Sequence, residues 1–387
     1  MKKVLLGTSA IALAAAYTSS ANAAEWEVKI GGYMEQFVAF ADSDVDTVAN
    51  TDFAGVDSKQ DAEISFKPSI TLDNGIKIGV DVQLEANSTG DTIDESFLFI
   101  SGSFGRIQLG SENSARYTMQ YGAPDVTFIN VNSGSLTAFI PFSGTAAGVT
   151  TGADVFRGTL GSTFIENGRN NDAQRITYFT PRFAGFQLGV SYARDGNQDS
   201  NSQLDIQGEA LANIVDIGAN YVNSFGDFDV AVAGGYGIAF GDANDNPQVW
   251  NAGINLGFAG VTIGGSFAEQ NNEGNDDGRV FDAGISYETG PWGFSFTYLN
   301  GENVDDEVGD TDIDANGDGI ADNLGQFGND ETAQMFLIGA KYKLAKGVDL
   351  NAFGAYVDFE EDTGDSGLAQ GDDVDGFIIG TGIKVKF

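Results

Sequence analysis

The chain has 387 residues, 19 Lys+Arg against 56 Asp+Glu, and neither His nor Cys. Those absences remove the imidazole proton shuttle, Cys/His nucleophiles and zinc or copper sites, and the scarcity of Lys and Arg speaks against nucleic acid as a partner. Hydrophobic residues still make up 42% of the chain, so the acid excess does not describe a disordered polymer.

At the N-terminus Lys2 and Lys3 precede an apolar run from Val4 to Ala16. Ala21-Asn22-Ala23 follows with the small-x-small spacing that a signal peptidase reads. The sequence therefore predicts a cleaved export signal over 1–23 and one mature domain over 24–387, more acidic still once the two lysines are lost. An exported chain without thiols has no disulfides to hold it, so another constraint must close the fold.

From there the dominant signal is alternation. Val28, Ile30, Gly32 and Met34 interleave with Lys29, Gly31, Tyr33 and Glu35; Ile64, Phe66 and Ile70 with Glu63, Ser65 and Ser69; Ile78, Val80 and Val82 with Gly79, Asp81 and Gln83. A strand sends successive side chains to opposite faces, so each segment is apolar on one face and polar on the other. Taken along the chain, the pattern predicts sixteen strands: 25–41, 59–71, 75–87, 93–102, 105–111, 173–181, 185–195, 208–223, 227–240, 248–259, 261–270, 278–290, 293–302, 331–344, 348–359 and 373–387. No mature segment offers a run of apolar residues long enough for a transmembrane helix.

The connections decide between a soluble sandwich and a membrane barrel. Short ones carry turn residues: Asp73-Asn74-Gly75, Ser103-Phe104-Gly105, Pro181 to Gly185, Ser224 to Asp227, Ala259-Gly260, Gly290-Pro291-Trp292 and Ala345-Lys346-Gly347. They alternate with polar, mostly long ones, 42–58, 112–172, 195–207, 241–247, 271–277, 301–330 and 360–372, with 88–92 the short exception. Tight turns at one end and long loops at the other describe an all-β transmembrane antiparallel barrel of an outer membrane. The longest connection, 112–172, contains a stretch without one charge from Val126 to Gly148. Such a stretch is poorly suited to water and is predicted to line the lumen.

The closing strand places Phe377, Ile379, Ile383, Val385 and the terminal Phe387 at period-2 spacing, the form of an assembly signal. Together with Val28-Lys29-Ile30-Gly31-Gly32-Tyr33, Phe104-Gly105-Arg106-Ile107-Gln108-Leu109-Gly110 and Arg175-Ile176-Thr177-Tyr178-Phe179-Thr180-Pro181 before Gly185-Phe186, this resembles the trimeric Gram-negative general porins. The resemblance implies a sixteen-stranded homotrimer in the outer membrane, a third loop folded into the pore, and passive diffusion of small hydrophilic solutes and ions. It also implies acids on that loop facing a basic cluster on the wall.

By strand parity the inward basic candidates for the constriction are Lys29, Lys67, Lys77, Arg106 and Arg175, with Glu112, Asp125 and Asp154 from the loop; Arg116, Arg157 and Arg169 are candidates to brace it. The acid excess predicts weak cation selectivity. A second pattern, Asp312, Asp314, Asn316, Asp318, Ile320 and Asp322, puts oxygen ligands at alternate positions around Gly317 and Gly319, a loop able to wrap Ca2+. Two other readings stand beside the general porin: a substrate-specific outer-membrane channel, and a secreted calcium-stabilised β-sheet adhesin. No pattern points to an enzyme.

Overall fold

A computed structural model describes residues 25–46, 53–86, 92–132, 136, 138–145, 148–151, 162–165, 172–198, 212–240, 246–271, 277–304, 331–361 and 373–387. Its strands are β1 (Glu27–Asp46), β2 (Phe53–Thr71), β3 (Lys77–Glu85), β4 (Ser96–Gly102), β5 (Gly105–Ser111), β6 (Pro141–Thr145), β7 (Gly148–Thr151), β8 (Ala173–Phe179), β9 (Phe186–Gln198), β10 (Ala212–Phe225), β11 (Phe228–Ile238), β12 (Gln248–Phe258), β13 (Val261–Asn271), β14 (Asp277–Thr289), β15 (Trp292–Val304), β16 (Glu331–Ala345), β17 (Val348–Glu361) and β18 (Asp373–Lys386). All but β6 and β7 form one closed sixteen-stranded antiparallel barrel, each strand paired with its sequence neighbour and β1 with β18.

Closure removes the unpaired sheet edge that a bilayer cannot solvate. It is made over a long register, from Tyr33 opposite Lys386 to Asp46 opposite Asp373, and the terminal residue extends it. Phe387 N–H donates to the Gly32 carbonyl at 3.1 Å, and Gly32 N–H donates to the Phe387 carbonyl at 3.2 Å.

The alternation resolves into an outside and an inside. Val28, Ile30, Met34, Leu188, Ile254, Phe296, Ile338 and Ile379 all lie exposed on the outer surface, where hydrocarbon replaces water. Two aromatic girdles bound this band, as expected where strands cross the interfaces. Phe228–Phe258 and Trp292–Tyr342 pack together near the turns, with ring centroids 4.5 and 4.6 Å apart. Trp250–Phe267 and Tyr298–Phe336 do so toward the loops, at 4.9 and 4.7 Å.

Each of the seven predicted turns holds a glycine at positive φ: Gly75, Gly105, Gly185, Gly226, Gly260, Gly290 and Gly347. At Gly105 any Cβ would also lie 2.2 Å from the Phe179 carbonyl oxygen, so both conformation and space demand glycine there. At the other end the strands run further than the alternation suggested. β1 continues through Asp42 and Asp44 to Asp46, and β2 begins at Phe53, because above the lipid both faces of a paired strand tolerate polar side chains.

The 112–172 connection carries two elements that sequence patterning did not reveal. One is the β6–β7 hairpin. The other is a single helical turn, α1 (Ala115–Thr118), capped by the Ser114 side chain accepting from Tyr117 N–H. Among the described residues no helix is long and apolar enough to cross a membrane.

Candidate functional site: the lumen and its third loop

The third loop follows the inner wall around most of the circumference, held by successive bonds to lumen-facing side chains. Ala115 N–H donates to Ser191 Oγ on β9 at 3.1 Å. Asn220 Nδ2 on β10 donates to the Met119 carbonyl at 3.2 Å. Ala123 N–H and Asn132 Nδ2 donate to the two oxygens of Asp282 on β14, at 3.0 and 2.6 Å. Ser295 and Thr297 on β15 donate to Asp125 at 2.9 and 3.4 Å.

Arg116 is the deepest anchor and is fully buried. Its Nε lies 3.2 Å from Asp216 Oδ1 on β10, its Nη1 donates to Asn251 Oδ1 on β12 at 3.4 Å, and its Nη2 donates to the Ile165 carbonyl. The wall is shaped to receive this backbone. A Cβ at Gly253 would sit 1.9 Å from the Tyr121 carbonyl oxygen, and one at Gly235 would sit 2.2 Å from Arg116 Cγ.

Beyond β15 the contact turns apolar. Ile129, Val131, Leu136, Phe139, Ile140 and Ile165 from the loop join Leu299, Met335, Leu337, Val357, Phe359, Val374 and Ile378 from β15–β18, with Phe37, Ala39 and Ala41 from β1, in one buried cluster. Fully burying one such Leu, Ile or Phe side chain contributes about 1.5–3 kcal/mol, so the loop lies here as core and not as a tethered flap. This follows from the charge-free Val126–Gly148 stretch. The complementary half was missed: Met335-Phe336-Leu337-Ile338 is apolar at both parities, which marks a strand with lipid on one face and packed protein on the other.

Among the described residues the third loop leaves the wall from the lower part of β1 through β5 uncovered, apart from Phe139, whose ring lies 5.9 Å from Lys59 Nζ on β2. The loop-side half of this wall carries Asp57, Asp61 and Glu63 on β2, Glu85 on β3, and Glu95 and Glu112 just beyond the ends of β4 and β5. Glu63 stands directly opposite Glu85, and Lys59 pairs with Asp57 at 2.7 Å. Glu95 accepts from Gln83 Nε2 and from Asn113 Nδ2. Burial pushes Glu112 up to about 7, with Asp81 adding to the rise and Arg175 opposing it. Burial and the neighbouring Glu112, Asp94, Asp172 and Glu63 push Glu95 up to about 9. Asp125, on the loop, is also raised by burial, against the bonds it accepts from Thr127 and Ser295.

The predicted basic residues share the lumen parity but not one level. Lys29 and Lys67 are directly opposite one another across β1 and β2; Lys29 pairs with Glu27 at 3.2 Å and Lys67 with Asp81 at 2.9 Å. Lys77 and Arg106 both face Ser101 in register, near the turns, and lie over the Phe99 ring at 5.9 and 4.4 Å. Arg175 is higher, opposite Gly110 and beside Glu112. The loop's Asp125 is drawn to β15, on the wall across from this group. Asp154, Arg157, Arg169, the export signal over 1–23 and the candidate calcium loop, Asp312 to Asp322, lie outside the described residues.

A closed antiparallel barrel with an apolar belt, two aromatic girdles and an inward-folded loop beside a polar wall is a membrane-spanning β-barrel of the channel type. The Gram-negative porin model matches residues 9–362, and the chain belongs to that family, whose members are multi-pass outer-membrane channels and not enzymes. Among curated proteins it is 26% identical over 234 residues to an uncharacterized protein of Rickettsia conorii, covering 52% of this chain and 51% of that one. It is 22% identical over 229 residues to a porin of Rhodobacter capsulatus, covering 53% and 74%. The chain thus spans about half the length of the first of these relatives. Among solved structures it superposes on the anion-selective porin from Comamonas acidovorans with a TM-score of 0.55, 16% identity, and 94% and 100% of the two chains covered. For outer-membrane expressed OmpT of Vibrio cholerae the values are 0.57, 14%, 94% and 98%.

Proposed function

We propose that this porin is a water-filled channel for passive diffusion of small polar solutes and ions, weakly cation-selective, and assembled as a homotrimer. The observation that carries the ion preference is the uncovered wall. On its loop-side half Asp57, Asp61, Glu63 and Glu85, with Glu112 ionising near neutrality, face Lys59 and Arg175, in a chain whose net charge is −37. A carboxylate-lined passage concentrates cations. Lys29, Lys67, Lys77 and Arg106 oppose this from the turn side, which keeps the preference weak.

The Comamonas protein is described as anion-selective, but a likeness at that identity speaks to the fold alone. A trimer form is recorded for Vibrio cholerae OmpT, a protein of the same fold, and the same assembly is proposed here. The reversal potential across a tenfold KCl gradient tests the preference: a small cation-selective potential at low salt is expected, and a clear anion-selective one overturns it. Chemical cross-linking in native membranes tests the assembly, with monomer alone as the refuting result.

A further inference from the structure

The register of β1–β5 separates the charges of the uncovered wall along the pore axis. Toward the turns, the lumen-facing residues are Lys29, Lys67, Lys77 and Arg106, against Glu27 and Asp81, each of which is already paired with a lysine. Lys77 and Arg106 lie over Phe99 and form no carboxylate salt bridge among the described residues. Toward the loops stand Asp57, Asp61, Glu63, Glu85 and Glu112, against Lys59 and, from the neighbouring β8, Arg175 beside Glu112. The zones meet between Glu63 and Lys67 on β2, and between Asp81 and Glu85 on β3, four residues apart with one lumen-facing residue between them.

Among the described residues the third loop covers the mid-height wall elsewhere, through polar bonds on β9–β14 and through the apolar cluster beyond β15, and we assign the current to the strip that is left. We infer that the pore is a rectifying channel: an acidic zone in series with a basic one, conducting more when the loop side is positive. This rests on the channel reading above. With the loop side positive, cations enter through the acidic zone and anions through the basic zone, and both accumulate where the zones meet. With the polarity reversed, both carriers are drawn away from the junction and conductance falls. The arrangement acts along the axis, so it biases the direction of flow as well as the sign of the permeant ion.

The effect depends on wall charges reaching across the strip. The Debye length is about 10 Å at 0.1 M salt and about 3 Å at 1 M, so rectification belongs to dilute electrolyte.

Single channels of the purified full chain in a planar bilayer decide the matter. Each is read at both polarities, so that mixed insertion changes only the sign. In 0.1 M KCl the two currents should differ by roughly two-fold and converge at 1 M, where screening collapses both zones. The double variant Lys77→Gln, Arg106→Gln should bring the 0.1 M ratio close to one. Equal currents in the wild-type protein at 0.1 M, or an asymmetry that persists at 1 M or in the double variant, would overturn the inference. The salt series needs no variant and stands if the variant fails to assemble. Absence of any conductance would instead refute the channel reading on which the inference rests.

Discussion

Replacing Arg116 with Met tests how the third loop is held. Arg116 and Asp216 have side chains 0% and 2% exposed, so the variant leaves a carboxylate out of water with its cation gone. It also strips the bonds to Asn251 and to the Ile165 carbonyl. Breaking a buried ion pair by removing one partner typically costs about 3–5 kcal/mol, whereas replacing both by apolar residues of similar volume is often neutral. Arg116→Met should therefore lower the urea midpoint of the folded barrel and add current noise, because the loop loses its tie to β10 and β12. Arg116→Met combined with Asp216→Leu should recover most of the midpoint. A single variant with the wild-type midpoint and quiet current, or a double variant below the single, would refute the assignment of this pair as the anchor.

Further expectations concern the wall, the acids and the closing strand. Gly253→Val drives a side chain into the Tyr121 carbonyl; it should cost about 1–3 kcal/mol in an unfolding titration and alter conductance, whereas an unchanged protein would mean that the loop does not rest there. Glu112 has a folded value of about 7 against an ordinary 4.5, so between those values the folded barrel keeps a proton that the unfolded chain has released. Stability should fall as pH rises through that window, cation preference should grow as Glu112 ionises near pH 7, and Glu112→Gln should flatten both; identical pH profiles would contradict this. Deleting Phe387, which completes the closure at Gly32, should reduce outer-membrane yield far more than deleting one residue of an external loop, with equal yields as the contrary result.

The barrel was legible because period-2 alternation and glycine turns are local, and each of the seven turns carries its signal within a few residues. The inward loop was legible for a different reason: an uncharged stretch from Val126 to Gly148 has no stable place in water. The partner surface was harder to see. Leu299, Met335 and Leu337 occupy lumen positions where a water-filled barrel calls for polar residues, and only the loop's path explains them. Nor does parity reveal height along the pore. It put Lys29, Lys77, Arg106 and Arg175 on one face, but only strand register shows that three lie near the turns and the fourth beside Glu112. Arg116 marks the same limit: its partners, Asp216 and Asn251, are joined to it by fold and not by sequence proximity.

Because the chain contains no cysteine, single introduced thiols can map which wall is wet. The open path runs along β2–β5, and the surface on β15–β18 is dry and packed by the loop. Lys67→Cys, at a lumen position 44% exposed, should react with a water-soluble charged thiosulfonate and change the single-channel current stepwise. Leu337→Cys, 0% exposed in the cluster, should stay unmodified with its current unaltered. Rapid modification at 337 with none at 67 would contradict the account.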